Sequence, residues 1–190
     1  MISKAKITKL VEIFFYVSNA YEKELKYSCE RFSNNDCPEF SDEEIMTVYL
    51  FCTNQEQRTK IKQIYQFADD YLRSWFPKLP SYAAFNNRLN RLSEAFRLLT
   101  ASLLQEFQPL DCFLHESLLD SMPVITCSGK RTGKVALELT EKGFCSTKSM
   151  YYHVLKLHAL AFRRDNQLPF PEQLLITSAS KYDLNVFRNA

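Results

Sequence analysis

The stretch from Leu118 to Ile125, reading Leu-Leu-Asp-Ser-Met-Pro-Val-Ile, is an apolar run with one carboxylate in its middle, and a second apolar run from Tyr151 to Phe162 answers it. Burying an ionised carboxylate is costly unless it is paired, hydrogen-bonded or bound to a metal, so an aspartate inside strand-like sequence needs a reason. Two reasons are open. Asp120 can cap a turn made with Ser121 and Pro123, the residue types that turns favour, or it can be a functional carboxylate held on a strand.

The residues around this stretch divide the chain by texture. From Ile7 to Leu25 apolar residues recur at three- and four-residue steps, predicting an amphipathic helix. Ser33 to Pro38 clusters turn formers and breaks it. Ser41 with Glu44 has the form of a capping box, and the helix it opens, to about Asn54, is apolar almost all round and should be buried and central. A further stripe from Ile61 to Trp75 stops at Pro77 and Pro80, because proline lacks the amide donor and clashes inside a helix. Ser81 can cap a fourth helix, extending as far as Pro109, with Asn86, Asn87, Arg88, Asn90 and Arg91 away from its apolar side. Arg and Asn pair bidentately with guanine and adenine edges, so this helix after a Pro-containing turn is compatible with a recognition helix, Arg88 and Arg91 being its candidate DNA contacts; an ordinary solvated face is the alternative. Beyond Pro109 come short strand-like runs, Phe113 to Thr126, Tyr151 to Phe162 and Gln173 to Thr177, separated by polar loops. The expected organisation is thus a helical domain over residues 1–109 and a strand domain over residues 110–190.

Charge is unevenly spread along the chain. Residues 1–44 carry six basic and nine acidic side chains, a balance of −3, whereas residues 56–97 carry eight against four and residues 128–164 eight against two. Positive charge concentrated on two stretches suits a polyanion-binding protein, since phosphate contacts dominate nonspecific DNA affinity. The six cysteines are scattered with no Cys-x-x-Cys pair, which signals free thiols rather than a zinc site or a disulfide framework. Gly129 to Lys134 fails as a phosphate-binding loop, because its spacing is one short and Val135 stands where a hydroxyl must ligate magnesium. No apolar run approaches the roughly 20 residues that span a bilayer and the N-terminus lacks a signal peptide's apolar core, so a cytoplasmic protein without a membrane partner is expected.

Several ordered motifs carry a resemblance: Asp120-Ser121-Met122-Pro123, Gly143 with Cys145, Ser146 and Lys148, Tyr151-Tyr152, Lys156-Leu157-His158, Leu168-Pro169, and Ser178-Ala179 with Asp183-Leu184; Leu79 to Tyr82 with Phe85-Asn86, and Ser41 to Glu44, extend it over most of the chain. In these the sequence resembles the start of the catalytic domain of bacterial insertion-sequence transposases of the DDE class, the 982 group. The resemblance implies an α+β fold: a helical N-terminal domain followed by the first three antiparallel strands of an incomplete ribonuclease H-like core. It also implies enzymes that cut and join DNA ends with Mg2+, or Mn2+ in its place, Asp120 being the first catalytic, metal-binding carboxylate, and Lys148 and Lys156 lying near DNA. A second Asp and a later Glu of the family set cannot be placed, and Asp183 matches a residue preceding that second Asp, so a C-terminally truncated, inactive fragment is expected. The alternative is a noncatalytic DNA-binding remnant or regulator of transposition. The partners expected are DNA and, compatibly, further copies of the chain, with no small-molecule substrate. Lys156 and His158, two apart, should share one face of a strand. A sheet lacking covering helices should leave apolar surface exposed, with solubility depending on a partner.

Overall fold

The computed structural model describes residues 2–29, 38–128, 136, 139–145 and 149–187. The chain divides into two compact units, residues 1–100 and 101–190. Among the described residues no helix is long and apolar enough to cross a membrane.

The first unit is helical. Helix α1, Lys4–Ala20, starts where the Ser3 hydroxyl accepts from the Lys6 amide at 3.4 Å, and passes through a π-helical turn, Tyr21–Leu25, into the single turn α2, Lys26–Cys29. Helix α3, Asp42–Gln55, begins with the predicted capping box: Glu44 N donates to Ser41 Oγ at 3.2 Å while Ser41 N donates to Glu44 Oε2 at 2.6 Å. Its Ile45, Met46, Val48, Phe51 and Cys52 are fully buried, as a helix apolar on nearly every side must be to keep those groups from water. Helix α4, Ile61–Phe67, continues as a second π-helical turn, Ala68–Leu72. After residues 73–81 come α5, Tyr82–Arg91, and α6, Ser93–Glu106. The expected single long helix is therefore two, parted at Leu92, whose ψ of 12° leaves the helical range and whose amide reaches back only to Leu89.

Among the described residues the second unit forms a four-stranded antiparallel sheet, one strand more than the three apolar runs predicted. Strand β1, Phe113–Ser128, pairs along β3, Met150–Arg163. The other edge of β3 is shared: β2, Glu141–Cys145, takes its first residues up to Val154, and β4, Phe170–Ser178, takes it from Leu155 onward. Strand β2 arises in sequence that reads as a loop. Its Gly143 lies opposite Tyr152, where an added Cβ would sit 3.4 Å from Val154. Glu141 joins the two short strands, accepting from Ser180 N at 2.9 Å and Ser180 Oγ at 3.0 Å. The turn helix α7, Asp183–Val186, follows β4.

Register decides what each face of the sheet carries. The pairing of β1 with β3 is unbroken from Ser117↔Phe162 to Ile125↔Val154, so residues alternate strictly between faces. Ser121, opposite His158, points to one face, with Lys156 and Thr177. Asp120, opposite Ala159, points to the other, with Leu118, Met122, Leu174 and Ile176.

Candidate nucleic-acid interface and the Asp120 strand

Helix α5 is positioned by the proline turn before it. The Tyr65 hydroxyl of α4 donates to the Pro80 carbonyl at 2.9 Å, the Ser81 hydroxyl accepts from Ala84 N at 3.4 Å, and Phe76 and Leu79 are buried beneath the turn. Phe85 and Leu89, four apart, turn the apolar side of α5 into the core. The connection over residues 73–81 is longer than the three or four residues of a standard helix-turn-helix turn.

The two arginines of α5 part company. Arg88 points inward: its Nε donates to Asp42 Oδ1 at 2.7 Å, its Nη1 donates to the Phe40 carbonyl, and the two charged side chains are only 11% and 6% exposed. Its placement is that of a buried ion pair joining α5 to the start of α3, not of a group facing a phosphate. Arg91 is exposed, on the same arc as Ala84, Asn87 and Asn90, and makes no ion pair among the described residues. This arc borders a cleft of about 630 Å³ whose rim includes Pro77, Lys78, Pro80, Asn87 and Arg91. Lys78 was not singled out by pattern; it faces Glu39 at 3.3 Å in a pair open to solvent on both sides, the kind that contributes little.

Asp120 caps no turn. It lies in mid-strand, exposed, and its Oδ1 accepts from the backbone amide of Ser121 at 2.7 Å. Two residues on, Pro123 has no amide to offer, and inside a sheet proline is tolerated only where its nitrogen faces an open edge. Residues two apart present their backbone groups to the same side, so Ser121 and Pro123 together remove two donors from the edge of β1 that faces away from β3. A local guard on an edge strand is thus a sufficient structural account of Asp120.

The other sequence-predicted residues fall elsewhere. Lys148 lies outside the described residues. Lys156 is on the opposite face from Asp120, its Nζ 2.8 Å from Asp183 Oδ1 and donating to the Lys181 carbonyl at 3.1 Å. His158 is fully buried beside it. The Thr177 hydroxyl donates to the Ser178 carbonyl at 3.0 Å and so accepts from His158 Nε2 at 2.7 Å, while His158 Nδ1 lies 3.0 Å from Asp183 Oδ1 and the imidazole meets the Phe187 ring edge-on. The Lys156 ammonium, helped by the Ser121 hydroxyl and by His158, holds the Asp183 carboxyl below the usual carboxylate range. Hydroxyl, imidazole and carboxylate in line have the outline of a nucleophilic relay. Here the hydroxyl proton is committed to a carbonyl and the ring is sealed from solvent, so the cluster locks α7 onto the sheet.

Among the described residues, then, Asp120 has no carboxylate partner of the kind that two magnesium ions need. Asp183 is on the other face, Glu172 accepts from Ser117 Oγ at 3.1 Å, and Asp165 faces Arg163 at 3.5 Å. Among the described residues no three His, Cys, Asp or Glu side chains group to hold a metal ion. Compared with known proteins, the chain matches no family model, no curated protein and no solved structure.

Proposed function

We propose that the chain is a transposase-derived DNA-binding protein of the insertion-sequence DDE type, which engages DNA through its helical unit and, by itself, neither cuts nor joins strands. The observation that carries the binding half is the exposed arc of α5. Arg91, Asn87 and Asn90 present base- and phosphate-pairing groups, Ala84 adds no bulk between backbone and ligand, and the Ser81-capped N-terminus opens the same face. The resemblance in the Asp120, Lys156 and Asp183 motifs supports the transposase ancestry, and an antiparallel run of strands with Asp120 on the first is what a ribonuclease H-like origin requires. The expectation that it transfers no strands rests on charge: two divalent ions carry about four positive charges, and among the described residues Asp120 stands without the further carboxylates that would hold them.

The binding test is fluorescence anisotropy with duplex DNA across a salt series. Arg91→Ala should weaken binding and lower the slope of log K against log salt by about one. A protein that ignores DNA at low salt, or an Arg91→Ala variant with unchanged slope, rejects the assignment. For the chemistry, DNA carrying candidate element ends is incubated with Mg2+ or Mn2+ beside an Asp120→Asn control. Metal-dependent nicking lost in that control would restore Asp120 to a catalytic role.

A further inference from the structure

The cleft beside α5 carries an ion pair that the fold does not need. Its α5 wall is a single stripe, Ala84, Asn87, Arg88 and Arg91, at the three- and four-residue steps that share a helix face. The rest of its lining comes from two backbone segments, residues 38–40 and 77–80. Both are anchored by their neighbours. Phe40 is buried, its ring edge-on to Phe76 at 6.0 Å and its carbonyl accepting from Arg88, while the buried Phe76 and Leu79 flank Lys78. Between these fixed segments Lys78 Nζ meets Glu39 Oε1 at 3.3 Å, with the lysine side chain 59% and the glutamate side chain 78% exposed. A pair so open contributes little to stability, and the buried phenylalanines hold both segments without it. The cleft itself decides what the lysine is available for. Pro38, Pro77 and Pro80 offer no backbone amide to an anion, and the Arg88 guanidinium is engaged by Asp42. The cationic side chains left for an anion in the cleft are Lys78 and Arg91, the second without an ion pair among the described residues. On the first of them an anion already rests, the Glu39 carboxylate. A phosphodiester oxygen accepts from an ammonium as a carboxylate oxygen does, so phosphate can replace Glu39 without leaving Lys78 unpaired, and the freed glutamate passes into water that already surrounds most of it.

We infer that Glu39 occupies a phosphate subsite: when DNA binds, the backbone of one strand enters the cleft and a phosphate displaces the Glu39 carboxylate from Lys78, beside the contact that Arg91 makes. Glu39 is thereby a built-in competitor that holds DNA affinity down. The inference rests on the DNA-binding reading of α5 and adds to it what the cleft takes and what opposes its entry. It is tested by the anisotropy of a short fluorescent duplex, over a salt series, with the full chain and its variants. Glu39→Gln, which keeps the shape and loses the charge, should bind about two- to fivefold tighter, the equilibrium factor of an exposed ion pair, and misfolding does not produce such a gain. Lys78→Ala should bind more weakly, with the slope of log K against log salt lower by about one. In the Lys78→Ala background the gain from Glu39→Gln should vanish, because no ammonium is left for the carboxylate to occupy. The inference is overturned if Glu39→Gln gains nothing, if it gains as much with Lys78→Ala as without it, which would be the general effect of removing a negative charge, or if Lys78→Ala leaves the slope unchanged. Arg91→Ala keeps the two readings apart. Binding that depends on Arg91 but on neither Lys78 nor Glu39 sustains the α5 interface and removes this subsite, whereas a protein that ignores DNA at low salt removes both.

Discussion

Arg88 Nε and Asp42 Oδ1 meet at 2.7 Å across 46 positions of sequence, and the pair pins α5 to the first turn of α3. Breaking one side of a buried pair leaves the other charge uncompensated. Arg88→Ala should therefore destabilise the helical unit by about 3–5 kcal/mol, whereas Arg88→Leu combined with Asp42→Leu should cost far less, since apolar packing can replace a buried ion pair at little net cost. Urea unfolding of the two variants decides it; equal losses in both would mean that the pair is not the origin of the effect.

The capping box at Ser41 and Glu44 satisfies two amides that the helix cannot bond internally. Ser41→Ala should lower stability by about 1 kcal/mol, and Ser41→Asp should restore most of it, aspartate being an equally good cap. A thermal melt in which Ser41→Ala is silent would show that tertiary packing alone holds the start of α3.

Asp183 gives the pH dependence of the α7 lock. Its carboxyl is held below the ordinary range, chiefly by Lys156, so its contribution to stability is fully present above the unfolded value near 3.9 and is lost as pH falls through the lower folded value. The lock should hold from neutral pH down to about 4, then loosen. Carboxyl carbon chemical shifts should show Asp183 titrating below the exposed aspartates, and Lys156→Met should move it back up. Titration at the ordinary position in the unmodified protein would count against the lock.

The edge guard on β1 predicts aggregation behaviour. Pro123→Thr with Asp120→Ala returns two free amides to the edge and should speed concentration-dependent light scattering, because an unguarded edge templates strand addition. Pro123→Thr with Asp120→Asn keeps an acceptor for the Ser121 amide while losing the charge, and should aggregate more slowly than the alanine pair. Identical rates would assign the protection to charge instead of to the bond.

Local signals in the sequence located most of the elements. The Ser41 box and the Ser81 cap are short-range chemistry, and the structure starts a helix at each of them, whereas the stripe expected to run to Trp75 and stop at Pro77 already leaves the helix after Leu72. Three strands were legible as apolar runs. Strand β2 was not, because Glu141, Lys142 and Gly143 are poor strand formers on their own and pair only once β3 supplies an edge. The inward turn of Arg88 was equally hidden: helical spacing set it beside Arg91 on a polar side, and only the approach of Asp42 from a distant segment makes its position internal. For Asp120 the sequence left a turn cap and a functional carboxylate open, and the structure adds a third role, an amide acceptor within a strand.

The divided edge of β3 has a dynamic consequence. Since β2 ends its pairing at Val154 and β4 begins at Leu155, neither short strand spans the seam, and β3 with β1 alone run continuously across it. Each short strand can detach while the other stays paired, with Glu141 to Ser180 as a clip across the junction. Native-state hydrogen exchange should then resolve two separate protection blocks on one side of a single strand, with Glu141→Gln weakening the coupling between them.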